Sequence, residues 1–213
     1  MNLDLTQIRR ISSEEELRRV IGSPSAVVCT KIQGLLNPTT RPFVERSPFV
    51  LLATAASDGS CDVSPRGDPA GFVRVLNDQT LLLPDRPGNR LADALRNILS
   101  NPHVGLLFVV PGITETFRVN GTAFLTDDLE LLAASTIEGR APELGIVVHI
   151  EEAFTQCPKA FLRSDLWNPE RYQERSSFAS PGEIMRAANG ESFDAATYDA
   201  ERDERYARRE GLY

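Results

Sequence analysis

The rhythm of hydrophobic and polar positions changes twice along the chain, near residue 46 and again after Cys157. Before the first change the spacing is helical. Leu17, Val20 and Ile21 share one helical face, Ser12 and Glu15 have the spacing of a capping box, and Gly22 stops the run. A second short helix is predicted from about Ala26 to Leu36, with Pro38 and Pro42 as the next breaks.

From Phe49 to about Cys157, β-branched and aromatic residues alternate with turn residues, which predicts strands. Phe49 to Ala55 reads as a buried strand, Ser57-Asp58-Gly59 as a turn and Asp62 to Ser64 as the start of a return strand. A second hairpin joins Phe72–Leu76 to Thr80–Leu83 through Asn77-Asp78. Between Asn89 and Ser100 the pattern turns helical, because Leu91, Ala94, Leu95, Ile98 and Leu99 recur at intervals of 3, 4, 7 and 8. Strands resume over Val104–Val110, Thr116–Phe124 and Gly145–Ile150. Six or so antiparallel strands broken by one helix predict a closed or partly closed barrel, since closure is how such a sheet hides its edges. After Cys157 the chain reads as helical and polar. Residues 191–213 are highly charged and carry few large apolar groups, as in a solvated helix or an arm that meets a partner.

The 213 residues, 41% hydrophobic and 25% charged, suffice for one sizeable core. The first thirty residues carry Asp4, Arg9, Arg10 and the run Glu14 to Glu16 instead of an apolar signal segment, so a cytoplasmic protein without a membrane partner is expected. A net charge of −7 argues against a grip on nucleic acid, which is built by neutralising many phosphates. Cys29, Cys61 and Cys157, with His103 and His149, lack metal-ligand spacing, and His149 reads as a core or interface histidine in an apolar strand.

Four segments could carry chemistry. In Ser64-Pro65-Arg66-Gly67-Asp68, proline and glycine let the chain leave the sheet and bring amides and the Arg66 guanidinium to a ligand. A turn with a surface pair between Arg66 and Asp68 is the alternative. Pro84-Asp85-Arg86-Pro87-Gly88-Asn89-Arg90 joins a strand to a helix start, where free amides, the helix dipole and two arginines suit a phosphate, or where Asn89 simply caps the helix. Thr116, Arg118 and Asn120 share one face of a strand by period two and could meet a polar ligand edge or solvent. Lys159 and Arg163 lie four apart on a helix, with Trp167 one turn further on, either as a pocket wall or as snorkelling basic side chains.

In this order the segments resemble the FMN-binding split barrels related to pyridoxamine 5′-phosphate oxidase, and a subgroup of uncharacterised bacterial members in particular. The resemblance is carried by Ser47-Pro48-Phe49, "CDVSPRGDPAGFVRVL", "LLLPDRPGNRLADALRNILSNPHVGLLF", "ETFRVNG" and "CPKAFLRSDLW", over roughly residues 20–172. It implies a mainly β fold with flanking helices, a six-stranded antiparallel split β-barrel that dimerises with FMN in a groove between the subunits. By the same resemblance, Ser64, Pro65, Arg66 and Gly67 lie along the isoalloxazine and ribityl chain, while Arg86, Asn89 and Arg90 meet the phosphate. Thr116 stands where the oxidase has a flavin-contacting glutamine, and Lys159, Arg163 and Trp167 come from a C-terminal segment near the flavin. The expected division is a helical segment over 1–46, the flavin-binding barrel over 47–172 and a charged helical tail over 173–213.

The sequence departs from the oxidase at two places. The helix start reads Asn89-Arg90 where the oxidase has a paired Arg-Lys, and nothing after Trp167 matches the basic and histidine residues that hold the substrate phosphate. The expectation is therefore an FMN-dependent oxidoreductase for an unidentified small substrate, with no catalytic acid or base assigned. The alternatives are a flavin store or sensor without turnover, and a barrel holding haem or a deazaflavin.

Overall fold

The computed structural model describes residues 3–213, which divide into two compact units, one ending at Ile32 and the other spanning Gln33–Tyr213. In the first unit α1 runs Glu14–Ile21. Its cap is Ser13, whose hydroxyl accepts the Glu16 amide at 3.2 Å, while the Ser12 amide donates to Glu16 Oε2 at 3.0 Å. The cap is thus Ser13 rather than Ser12, and Glu16 reaches back to the residue before it instead of closing a capping box. Gly22 ends the helix at φ 74°, a backbone state that glycine adopts freely. Helix α2 spans only Ala26–Thr30, well short of Leu36. Gln33 explains the early stop, because in the second unit it exchanges main-chain hydrogen bonds with Ala153 at 2.7 and 3.2 Å and so must be extended.

The second unit is built on one antiparallel sheet. Its strands are β1 Phe49–Ala55, β2 Cys61–Gly67, β3 Arg74–Asn77, β4 Thr80–Pro84, β5 His103–Val109, β6 Thr116–Thr126 and β7 Gly145–Gln156. The strand order is β2-β1-β5-β6-β7-β4-β3, so there are seven strands where six were expected. The two predicted hairpins lie at the two ends of this order. No ladder joins those ends, and the sheet is open rather than closed.

Strands β2 and β7 outrun their predicted ends by three residues or more. Strand β2 does not leave the sheet at Ser64 but pairs on through Arg66 and Gly67, opposite Val50 and Phe49. An edge strand tolerates Pro65 there because proline's missing amide costs no interior ladder bond. Strand β7 continues past Ile150 to Gln156, since its second half pairs with Thr116–Asn120 beyond a bulge at Asn120/Gly121. His149 on β7 is exposed, not buried in the core.

One face of the sheet buries Val50, Leu52, Leu106, Phe108, Phe117 and Val119, closed over by α3 (Arg41–Glu45) and α4 (Asp93–Ser100). Helix α4 contributes Ala94 and Ile98, and its Asn97 Nδ2 donates to Thr54 Oγ1 at 3.0 Å and Asp62 Oδ2 at 2.8 Å. Pairing these polar groups lets the helix seat on β1 and β2 without a desolvation penalty. Ser47 sits buried at the entry to β1, its Oγ 2.6 Å from the Phe49 carbonyl and 2.8 Å from that of Val109. The polar segment after Cys157 forms α6 (Lys159–Ser164), α7 (Pro181–Asn189) and α8 (Ala195–Ala207); a short α5 (Leu129–Ala133) precedes them. No helix among the described residues is long and apolar enough to cross a membrane.

At Gly121 a Cβ would lie 1.9 Å from the His149 carbonyl oxygen. Backbone on both sides cannot yield, so Gly121→Ala is expected to destabilise the protein by about 2–4 kcal/mol. Gly88→Ala, which meets nothing within 4 Å, should leave the denaturant midpoint almost unchanged. Equal midpoints for both variants in chemical denaturation would contradict the close approach of β6 and β7.

Candidate functional site

The chain leaving β2 and the chain leaving β4 meet, although their strands lie toward opposite ends of the sheet order. The contact is made by charges. Arg86 Nε donates to Asp68 Oδ2 at 2.7 Å and its NH2 group to the Ser135 carbonyl at 2.8 Å. Both side chains are buried, with Asp68 only 3% and Arg86 14% exposed. Arg66 reaches Asp85 across the same junction at 3.7 Å. The sequence alternative of an Arg66–Asp68 pair is therefore replaced by a crossed arrangement, each arginine taking the other segment's carboxylate.

A cleft of about 860 Å³ opens beside this junction, lined by Arg66, Asp85, Arg86, Asn89, Arg90, Arg140 and Tyr213 among others. Its size suits a small organic ligand. The Arg66 Nε is buried with no hydrogen-bond partner, so this guanidinium has a donor to spare. Burial pushes the Asp85 carboxyl above its ordinary range, and the Arg66 charge only partly opposes that rise. Helix α4 begins at Asp93 rather than Asn89. Asn89 does not cap it; its Oδ1 closes a local turn on the Leu91 amide at 3.0 Å. Arg90 and Ala92 both take left-handed backbone, at φ 63° and 58°. Such a conformation costs a non-glycine residue about 1–2 kcal/mol. No side chain caps the α4 amides, and Ala92 and Leu95 of its first turn line the cleft.

A second recess, about 640 Å³, lies on the other face of the sheet between β1, β5, β6 and α6. Leu51, Ala53, Val63 and Leu107 give it an apolar floor, and Thr116, Arg118, Asn120, Lys159 and Arg163 a polar wall. The period-two expectation for Thr116, Arg118 and Asn120 holds, since all three line this recess. Arg118 stacks on the Phe154 ring at 4.4 Å while its Nε is buried and unpartnered, and Asn120 Nδ2 donates to Glu152 at 2.8 Å.

The eleven residues singled out from sequence thus separate. Arg66, Arg86, Asn89 and Arg90 gather at the arginine cleft, with Pro65 and Gly67 at an adjoining groove. Thr116, Lys159 and Arg163 line the recess on the other face. Ser64 lines neither, as its half-buried side chain belongs to the face of β2 that carries Asp62 toward α4. Trp167 does not join Lys159 and Arg163. The left-handed turn at Asp165 redirects the chain, and the indole packs on Phe161 and donates to the Ile113 carbonyl at 2.9 Å. Arg140 was missed by sequence reading, for no motif surrounds it. It is placed by a two-residue hairpin turn, Ile137 to Arg140, whose central Glu138 and Gly139 both have positive φ.

Two outcomes follow for the junction. Arg86→Ala strands the Asp68 carboxylate in a buried site and should cost about 3–5 kcal/mol of stability, whereas the exposed Arg90→Ala should cost little; thermal melts of both variants check this. For Asp85, the folded-state pKa lies above the unfolded one. Its contribution to stability is present at low pH and lost as pH rises through the raised value. Asp85→Asn should therefore gain in melting temperature relative to the parent as pH is raised above 3.8, and parallel melting curves across pH would show that burial does not shift this carboxyl.

A family model described as pyridoxamine 5′-phosphate oxidase matches residues 36–157, more than half of the chain. No curated protein matches. Among solved structures, HupZ of Group A Streptococcus is 17% identical, covers 56% of this chain and 93% of its own, and superposes with a TM-score of 0.46. A putative pyridoxamine 5′-phosphate oxidase from Lactobacillus delbrueckii is 26% identical over 57% of this chain and 95% of its own, with a TM-score of 0.45. HutZ, described as the heme storage protein from Vibrio cholerae, is 17% identical over 57% and 93%, with a TM-score of 0.39. With β1 through β7 falling within the matched span, the chain belongs to the pyridoxamine 5′-phosphate oxidase-related split-barrel family.

Proposed function

We propose that the protein binds FMN and works as a homodimeric FMN-dependent oxidoreductase on a small substrate. The observation that carries this reading is that each of the two clefts holds a buried arginine nitrogen without a partner, Arg66 Nε in one and Arg118 Nε in the other. An orphaned guanidinium donor is costly unless a ligand takes it. The arginine cleft offers a phosphate the exposed guanidinium of Arg90, with Arg66 in the same lining. Arg86 serves differently, since Asp68 and Ser135 already occupy it. It is a positioning residue that holds the loop in place.

The recess on the other face suits a flat ring, with an apolar floor for its surface and Thr116, Asn120 and Lys159 for its polar edge. The two clefts share no lining residue within one chain. That separation favours a groove between two copies in which the phosphate and the ring meet different subunits. Bound FMN would supply the hydride and electron chemistry. The chain's own part would be to orient the ring, exclude water over Leu51, Val63 and Leu107, and hold positive charge at its polar edge through Lys159 or Arg66. No residue of either cleft is assigned as a catalytic acid or base, and the second reading is a flavin store or sensor without turnover.

The test is the visible spectrum of the purified protein, the mass of any chromophore released on denaturation, and the sedimenting mass. Released FMN on a dimer, bleached by NADH or NADPH and restored by an acceptor, is the expected result. Arg90→Ala should weaken FMN retention about tenfold while the melting temperature of the ligand-free protein stays put. Haem or a deazaflavin as the released group, or no uptake of added FMN, would overturn the proposal; bound FMN that no nicotinamide reduces would leave the storage reading.

A further inference from the structure

Residues 208–213 run from the end of α8 to the edge of the arginine cleft, which Tyr213 lines. The Tyr213 ring lies over the Arg86 guanidinium at 5.3 Å, and Arg140 donates to the Tyr213 main-chain oxygen. The turn that carries Arg140 holds this segment a second time, through Glu138 and Arg209 at 3.0 Å. Tyr213 also lines a neighbouring groove of about 940 Å³, together with Arg66, Arg86 and Asn89. The segment and the 86–89 loop therefore form the partition between two hollows.

These contacts are of unequal kinds. Arg86 remains paired to Asp68 and Ser135 whether or not the tyrosine covers it. Arg140 is different, because its guanidinium is exposed and the partner seen for it is one main-chain oxygen. A dianionic phosphomonoester can take two parallel charge-assisted bonds from that guanidinium, where the Tyr213 oxygen takes one. The Glu138–Arg209 pair is more than half exposed on both sides and is a weak tether. The turn itself is rigid, with Glu138 and Gly139 locked at positive φ, so Arg140 stays at the rim when the segment moves.

We propose that Arg140 is a further phosphate-binding residue of the arginine cleft, and that residues 208–213 are a strap that occupies its guanidinium until an anionic ligand displaces them. This rests on the reading that a phosphate binds in the cleft. Binding then includes the cost of opening the strap, and apparent affinity is lowered by the fraction of molecules in which it is closed. The tyrosine, sharing both the cleft and the groove, sets this cost through its contact with Arg86.

The experiment titrates FMN and riboflavin, which lacks the phosphate, into the full chain freed of any bound flavin, and repeats this with Tyr213→Ala and Arg140→Ala. Tyr213→Ala should bind FMN roughly threefold to tenfold more tightly. Arg140→Ala should bind FMN about tenfold more weakly with riboflavin affinity unchanged, which shows an intact fold. If Tyr213→Ala binds FMN no more tightly than the parent, the strap is overturned. If Arg140→Ala matches the parent for FMN, its role as a phosphate ligand is overturned. A parent chain that binds FMN no better than riboflavin would instead remove the phosphate site on which the proposal stands.

Discussion

The buried pair of Arg86 with Asp68 joins two parts of the sheet that no main-chain ladder connects. Strands β2 and β4 are five places apart in the strand order, yet the residues that follow them are 2.7 Å from one another. An open antiparallel sheet that curls this far needs something to hold its ends, and here charges do so, with Ser135 after α5 as a third anchor. Such a pair gains little over a well-packed apolar contact, but losing either member is expensive. The loop from Asp85 to Arg90 is consequently fixed at its first arginine and free at its last. That difference is what makes a cleft with a rigid wall and an available cation.

The same geometry explains why the arginines are not equivalent. Arg66 and Arg86 are drawn to carboxylates across the junction, Arg90 sits on left-handed backbone in solvent, and Arg140 is held out by a tight turn. Backbone strain at Arg90 and Ala92, a helix start without a side-chain cap, and a raised Asp85 carboxyl all fall within one lining. Local rules are broken together there, which is the usual mark of a site rather than of a scaffold. On the other face of the sheet, apolar residues in front of Arg118 and Lys159 form a surface of different character.

Much of the scaffold was legible in the sequence. Both hairpins, the apolar stripe of α4, the stop at Gly22 and the common face of Thr116, Arg118 and Asn120 depend on period and turn chemistry, and these act over a few residues. Errors arose where a distant partner decided the outcome. Strand β2 runs through Pro65 because it is an edge, β7 outruns Ile150 because β6 is there to pair with it, and α2 stops because Gln33 is claimed by Ala153. Proline and a weak helical stretch each point the other way when read alone.

For the site, the sequence by itself determined the inventory: a family pattern, arginine-rich loops in place of glycine-rich phosphate motifs, and a polar strand face. Only the tertiary structure decided how that inventory is used. It crossed the pairs so that Arg86 answers Asp68 and Arg66 answers Asp85, took Trp167 away from Lys159, and brought Arg140 and Tyr213 into the cleft from positions 73 residues apart. The physical reason is that charge pairing depends on distance in space. In a curled sheet that distance is set by strand order and twist, and neither is written in the local spacing of residues.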